Sequence, residues 1–99
     1  MRLTPTQIDA IHSTTQAVLG EGAKVTLFGS RVDDLARGGD VDLMIEVSQA
    51  LAEPALMSAR IASRLSRAFE GRHVDVLLKA PNLQEQAIHR VAEKTGVPL

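Results

Sequence analysis

Two aspartates separated by one residue are the part of this sequence best suited to chemistry. Asp40 and Asp42 lie in and just before an alternating run, 41–47, so both carboxylates point to one face with their Cβ atoms about 7 Å apart. Both can reach one divalent cation or a pair of cations. A third acid, Asp75, lies in a second alternating run, 73–78. If these strands are neighbours the three carboxylates converge, and hard oxygen ligands of this kind suit Mg²⁺ bound to a nucleoside triphosphate.

A glycine–serine pair upstream of the acids favours an anion site. Gly29 follows the apolar run 25–28, and a residue without a side chain lets the backbone turn sharply or approach a ligand closely. Ser30 suits an N-cap with Asp33 as its reciprocal partner, which predicts a short helix over roughly 31–36. The free amides of such a corner suit a phosphate, although a plain strand-to-helix turn has the same residues.

The spacing of these motifs resembles that of the nucleotidyltransferases of the polymerase-β superfamily. Size and layout resemble in particular the minimal nucleotidyltransferases, which are often the antitoxin partners of small all-helical HEPN proteins. Either motif alone is weak, but the two at this spacing with a third strand aspartate are fairly specific. The resemblance covers essentially the whole chain, as one domain over 1–99. The residues that carry it are Leu27-Phe28-Gly29-Ser30, then after nine residues Asp40-Val41-Asp42-Leu43, and later Val74-Asp75-Val76.

The resemblance implies an activity and a role for each motif residue. The expected reaction moves a nucleoside monophosphate, AMP from ATP or another nucleotide, to an acceptor hydroxyl, with a HEPN toxin as the expected acceptor. Asp40 and Asp42 would bind the Mg²⁺ that bridges the triphosphate. Asp75 would complete a second Mg²⁺ site and help deprotonate the attacking hydroxyl. The nucleotide-binding residues would be Gly29, Ser30 and Arg31.

A second hypothesis comes from another functional class. A nucleotidyltransferase-like binding module could neutralise a HEPN partner by contact alone, because steric inhibition needs only a surface. The intact acids Asp40, Asp42 and Asp75 favour catalysis over this alternative.

Composition narrows the class of protein. The chain has 99 residues, of which 44% are hydrophobic and 23% charged, as expected for a single globular domain. No apolar run reaches the length of a membrane span and residues 1–4 lack the start of a secretory signal, so we expect a cytoplasmic protein without membrane contact. A net charge of −1, no Lys/Arg block and only two aromatic residues argue against long nucleic acid as a partner.

Local patterns predict the order α-β-α-β-α-β-α, an α+β fold with a small mixed three-stranded sheet and about four helices. The first helix begins at Pro5, where Thr4 and Gln7 form a capping box, and it ends before Gly20. A second long helix begins at Pro54 and links two strands that should therefore be parallel.

The predicted strands are 25–28, 41–47 and 73–78, and the first should pair antiparallel with the second. In the second strand one face is expected in the core and the other open to substrate. The core positions are Val41, Leu43, Ile45 and Val47; the open positions are Asp40, Asp42, Met44 and Glu46.

The last helix is expected to begin at Asn82, with Glu85 as its capping partner, and to end at Gly96. Its apolar positions are the expected surplus surface for a homodimer or a HEPN-type partner, with packing onto its own sheet as the alternative. These positions are Leu83, Ala87, Ile88 and Val91.

The remaining charged residues carry no assigned role. Glu46 is farther from the glycine corner than Asp42, and Lys79 could touch phosphate or be simply exposed. His12 is expected at the surface rather than as a metal ligand. Three arginines of the second long helix are expected on a solvated face rather than in a nucleotide- or RNA-binding stripe, although they could face an acidic partner. These are Arg60, Arg64 and Arg67.

Overall fold

The computed structural model describes residues 3–29 and 40–99 as an α+β fold around one mixed sheet. The strand order in the sheet is β3-β2-β1-β4. In chain order the elements are α1 (Pro5–Leu19), β1 (Lys24–Phe28), β2 (Val41–Glu46), α2 (Pro54–Ala68), β3 (Val74–Lys79), α3 (Ala87–Thr95) and β4 (Val97–Pro98).

The element order agrees with the prediction except at two places. The short helix predicted over 31–36 lies outside the described residues. The fourth strand, β4, was not predicted; it pairs antiparallel with β1 through Thr26↔Pro98 and Leu27↔Val97. A two-residue strand that contains proline is too short to show an alternating pattern, so only the pairing reveals it.

Helix starts follow the local signals in the sequence. Thr4 caps α1, with its hydroxyl accepting from the Gln7 amide at 3.1 Å and the Gln7 side chain accepting from the Thr4 amide at 2.9 Å. Pro54 begins α2 as predicted. In both helices proline fits the first turn because its missing N–H has no partner there.

Both predicted strand pairings are confirmed. β1 and β2 are antiparallel with Phe28 opposite Asp42, and β2 and β3 are parallel with Asp42 opposite Asp75. The carboxyl end of β1 therefore meets the amino ends of β2 and β3. This register brings Gly29, Asp42 and Asp75 to one end of the sheet.

The hydrophobic core lies between one face of the sheet and helices α1 and α2. The predicted core face of the second strand is confirmed, since Val41, Leu43 and Ile45 are fully buried. Ile11 of α1 and Ile61 of α2 are equally buried against that face. Stability is therefore concentrated on the face that carries none of the acids.

The other face is only partly open, which corrects the prediction for Met44. Met44 does lie on the acid-bearing face, but it is buried, in a small cluster with Phe28 and Ala92. Helix α3 supplies Ala92 and covers this part of the sheet. The alternating pattern predicts the face of the strand on which a side chain lies, but only tertiary packing determines whether another element covers that face.

The predicted start of the last helix is wrong. The helix begins at Ala87 with Gln86 as N-cap. Asn82 instead pairs with the backbone of Leu51: its Oδ1 accepts from the Leu51 amide at 3.0 Å and its Nδ2 donates to the Leu51 carbonyl at 2.8 Å. An asparagine predicted to be a local helix cap thus connects the segment after β3 to the segment between β2 and α2.

The predicted apolar face of the last helix is exposed, as expected for a surplus surface. The buried residues of α3 are His89 and Ala92, whereas Ile88 and Val91 are 43% and 50% exposed. Leu83 lies before the helix and packs at the edge of the main core. The expected surplus apolar surface is therefore present at Ile88 and Val91.

Side chains cap the outer edge of β3, which would otherwise expose unpaired carbonyls. Ser58 donates to the Val76 carbonyl at 3.0 Å, and His89 Nε2 lies 3.0 Å from the Leu78 carbonyl. His89 Nδ1 accepts from the Gln86 amide at 2.9 Å, so the ring proton belongs on Nε2. One buried imidazole thus links α3 to the sheet and protects the edge from further pairing.

We predict that Ile45→Ala lowers the free energy of unfolding by roughly 2–4 kcal/mol, because the side chain is fully buried and leaves a cavity. Leu56→Ala is the matched control, since Leu56 is 43% exposed, and it should cost less than about 1 kcal/mol. Urea unfolding curves measure both. Equal losses in the two variants would show that the core is not where the structure puts it.

Candidate carboxylate site

The site begins with the contact between Gly29 and Asp42. Gly29 has a φ of +98°, and a Cβ atom at this position would lie 2.4 Å from Asp42 Oδ2. A side chain at this position would require the Asp42 carboxylate to move. The carboxylate of Asp42 is thus seated against the backbone where β1 ends, which is the close approach that glycine permits.

Asp42 and Asp75 form the second contact of the site. They are opposite each other on adjacent parallel strands, and the charge of Asp75 acts on the carboxyl group of Asp42. Asp42 is half-buried, whereas the side chain of Asp75 is 60% exposed. Asp40 is exposed just before β2 and acts on Asp42 through its charge.

Partial burial and the nearby acids shift the pKa of Asp42. Burial is the main reason that the pKa of Asp42 is raised from its ordinary value, followed by the charge of Asp75, the contact with it and the charge of Asp40. The charge of His73 acts in the opposite direction. Like charges held this close favour either a shared proton or a bound cation.

His73 is a site residue that the sequence analysis did not identify. Its Nε2 lies 2.8 Å from Asp75 Oδ1, and this hydrogen bond is the main cause of the raised pKa of His73. The signal was present in the sequence: His73 precedes Asp75 by two residues in an alternating run, so the two side chains share a face.

The donor set fits a divalent cation in chemical type. Asp42 and Asp75 offer adjacent oxygens and an excess of negative charge that a cation would relieve. Within 3–29 and 40–99, however, no three acid or imidazole groups are arranged as a ready-made metal site. The structure therefore places Asp42 opposite Asp75 and leaves Asp40 exposed just before β2. Two of the predicted phosphate-binding residues, Ser30 and Arg31, lie outside the described residues.

Lys79 and Glu46 lie at the opposite end of the strands from the site. They are opposite each other in the register of β2 and β3. Lys79 pairs with Glu93 and lies 3.8 Å from Glu85; its pKa is raised chiefly by the hydrogen bond to Glu93. Lys79 thus contacts Glu93 of α3 rather than Asp42 or Asp75.

The arginines of α2 lie on a solvated helix face, as predicted. Arg60, Arg64 and Arg67 are exposed, and the buried side of their helix packs on the sheet face opposite Asp42. His12 is likewise exposed on α1. None of these four residues lies at the carboxylate site.

The α+β arrangement with a mixed sheet matches a polymerase-β-like fold, as the sequence resemblance implied. It is similar to a chain in a solved crystal structure of a mutant of the toxin–antitoxin MntA–HpeT, with a TM-score of 0.64. The sequences are 17% identical, and the match covers 93% of this chain and 69% of that one. No protein-family model and no curated protein matches the sequence. At this identity the similarity establishes the fold and not the chemistry.

No helix within residues 3–29 and 40–99 combines the length and apolar character needed to cross a bilayer.

We predict that Gly29→Ala destabilises the protein more than Gly22→Ala does. Both glycines have a positive φ, +98° and +88°, but a Cβ at position 22 meets nothing within 4 Å whereas one at 29 collides with Asp42. The cost of placing a side chain at a positive φ is therefore common to both variants. The additional loss of unfolding free energy in Gly29→Ala, about 1 kcal/mol or more, measures the collision with Asp42. Urea unfolding measures it. Replacing Asp42 by glycine as well should remove the excess; if it persists, the Gly29–Asp42 contact is not its cause.

We predict that Asp42→Asn is at least as stable as the wild type above the pKa of Asp42. Because this pKa is raised, protonation of Asp42 stabilises the fold, and this stability is lost as pH rises from 3.8, the ordinary value, through the raised pKa. Asparagine cannot ionise, so the difference in Tm between variant and wild type should grow over that window and then level off. Thermal unfolding with EDTA present tests this, with Asp9→Asn on exposed α1 as the control for loss of one charge. A difference that shrinks as pH rises contradicts the prediction.

Proposed function

We propose that this protein is a Mg²⁺-dependent nucleotidyltransferase that transfers a nucleoside monophosphate, AMP from ATP, to a hydroxyl group of a partner toxin. The observation that carries the proposal is the arrangement at the sheet end. Asp42 is seated against Gly29 and beside Asp75, in a fold shared with a member of a toxin–antitoxin complex. A fold that only needed a stable sheet gains nothing from placing two carboxylates together.

The residues would divide the work between metal binding and proton transfer. Asp42 and Asp75 would hold Mg²⁺, with Asp40 beside them, and the ion would neutralise the charge of the triphosphate. The backbone at Gly29 is open to close approach because it has no side chain. Asp75 is exposed enough to meet an acceptor hydroxyl and to accept its proton.

The proposed transfer forms one bond to phosphorus and breaks another. The acceptor oxygen forms a new bond to the α-phosphorus, and the bond from that phosphorus to the oxygen bridging the β-phosphate breaks. Pyrophosphate leaves with the electron pair, and the hydroxyl proton passes to the carboxylate of Asp75. Most of the rate then comes from positioning and charge neutralisation.

A toxin partner is the proposed acceptor, and a HEPN-type all-helical protein is the expected kind. A solved structure similar to this fold is that of the toxin–antitoxin MntA–HpeT, which supports a partner of that class. Ile88 and Val91 of α3 are exposed apolar residues that support a contact surface there. A homodimer formed through the same surface is the other outcome that light scattering, with and without the partner, would distinguish.

A contact-only antitoxin is the second candidate function. The observation that favours it is that no three acid or imidazole groups form a ready-made metal site in the part of the chain that is described. In this case the fold would bind and block the toxin without transferring a nucleotide.

We predict that the wild type labels its partner, the product of the adjacent gene, from α-labelled ATP only when Mg²⁺ is present. Asp42→Asn should reduce labelling by about two orders of magnitude or more while remaining folded. Glu46→Gln is the control, since Glu46 is on the same strand and face but opposite Lys79 at the far end, and it should label normally. Neutralisation of the toxin without labelling, unchanged in Asp42→Asn, would instead establish the contact-only function.

A further inference from the structure

We propose that His73 is a positioning residue that fixes the orientation of Asp75 in the carboxylate site. Its Nε2–H donates to Asp75 Oδ1 at 2.8 Å, and this bond engages one of the two carboxylate oxygens of Asp75. The role assigned to Asp75 rests on the proposed function, but its orientation by His73 does not.

Asp75 needs such support because of where it lies. It is on β3, at the edge of the sheet, and its side chain is 60% exposed. An exposed aspartate otherwise samples several rotamers, and holding it in one costs side-chain entropy. Its other neighbour in the site, Asp42, repels it when both are ionised. The hydrogen bond from His73 is an attractive contact that opposes this repulsion.

His73 is itself well anchored. Its carbonyl accepts from the Val41 amide at 2.9 Å, and Val41 lies between Asp40 and Asp42. The backbone of His73 is thus tied to the strand that carries the other two acids. Because this bond uses only the main chain, replacing the side chain leaves it intact.

The reach of the side chain decides which substitutions should work. His73 and Asp75 are two residues apart on one face of a strand, with Cβ atoms about 7 Å apart, and the distal ring nitrogen Nε2 spans this gap. Glutamine carries an N–H donor at nearly the same distance from its Cβ as Nε2. Asparagine carries its donor one bond closer and cannot reach. His73→Gln should therefore preserve the contact, whereas His73→Asn and His73→Ala should abolish it.

The direct test measures the Asp75 side chain by NMR in the metal-free full chain. Three-bond couplings should report one χ1 rotamer in the wild type and in His73→Gln, and rotamer averaging in His73→Asn and His73→Ala. The exposed position of His73, with 64% of its side chain accessible, makes all four proteins foldable, which thermal unfolding checks. A single Asp75 rotamer in His73→Ala would overturn the proposal, whether or not the protein is an enzyme.

The second readout is Mn²⁺ binding followed by electron paramagnetic resonance at alkaline pH, where the imidazole is neutral. Loss of an orienting hydrogen bond to a metal ligand typically weakens binding by about 10-fold or more, and this is the expectation for His73→Ala and His73→Asn, with recovery in His73→Gln. Equal Mn²⁺ affinity in all variants would contradict a positioning role. If the wild type binds no Mn²⁺ and labels no partner, the proposed function fails, and the NMR result still decides the role of His73.

Discussion

The seating of one carboxylate against a glycine and beside a second carboxylate is the constraint on which this site depends. Asp42 fills the space that a side chain at position 29 would need, and the parallel register sets Asp75 directly next to it. Burial is the main reason that the pKa of Asp42 is raised, and the charge of Asp75 adds to it. The rest of the molecule must therefore supply the stability that this end of the sheet lacks.

That stability comes from the opposite face of the same sheet. Fully buried aliphatic residues of the central strands pack there against α1 and α2, so the acids and the main core share a strand without sharing a surface. Alternation along β2 produces this division: Leu43 and Ile45 point into the core while Asp42 points away from it. A change at Asp42 can thus alter chemistry with little effect on packing.

Helix α3 is attached differently. Beyond the small contact of Ala92 with Phe28 and Met44, polar groups hold it: His89 to the Leu78 carbonyl and Lys79 to Glu93. On the same helix, Ile88 and Val91 are exposed. The element that covers part of the acid-bearing face therefore also presents apolar surface outward, which is consistent with the proposed contact with a partner.

The sequence by itself determined the features that depend on neighbours along the chain. The capping box at Thr4, the start of α2 at Pro54 and the alternation of β2 were predictable because each depends on residues within a few positions. The parallel pairing that joins Asp42 to Asp75 was also predictable, since a strand–helix–strand connection restricts topology. The resemblance to a known family added the fold, which the structure confirms.

Only the tertiary structure decided which groups meet across the chain. It buried Met44 under α3, turned Asn82 from a predicted helix cap into a partner for Leu51, and added β4 beside β1. It also set Asp42 against Gly29. Local patterns specify the face on which a side chain lies. Whether another element covers that face, and which distant group satisfies a polar side chain, depends on contacts between residues far apart in sequence.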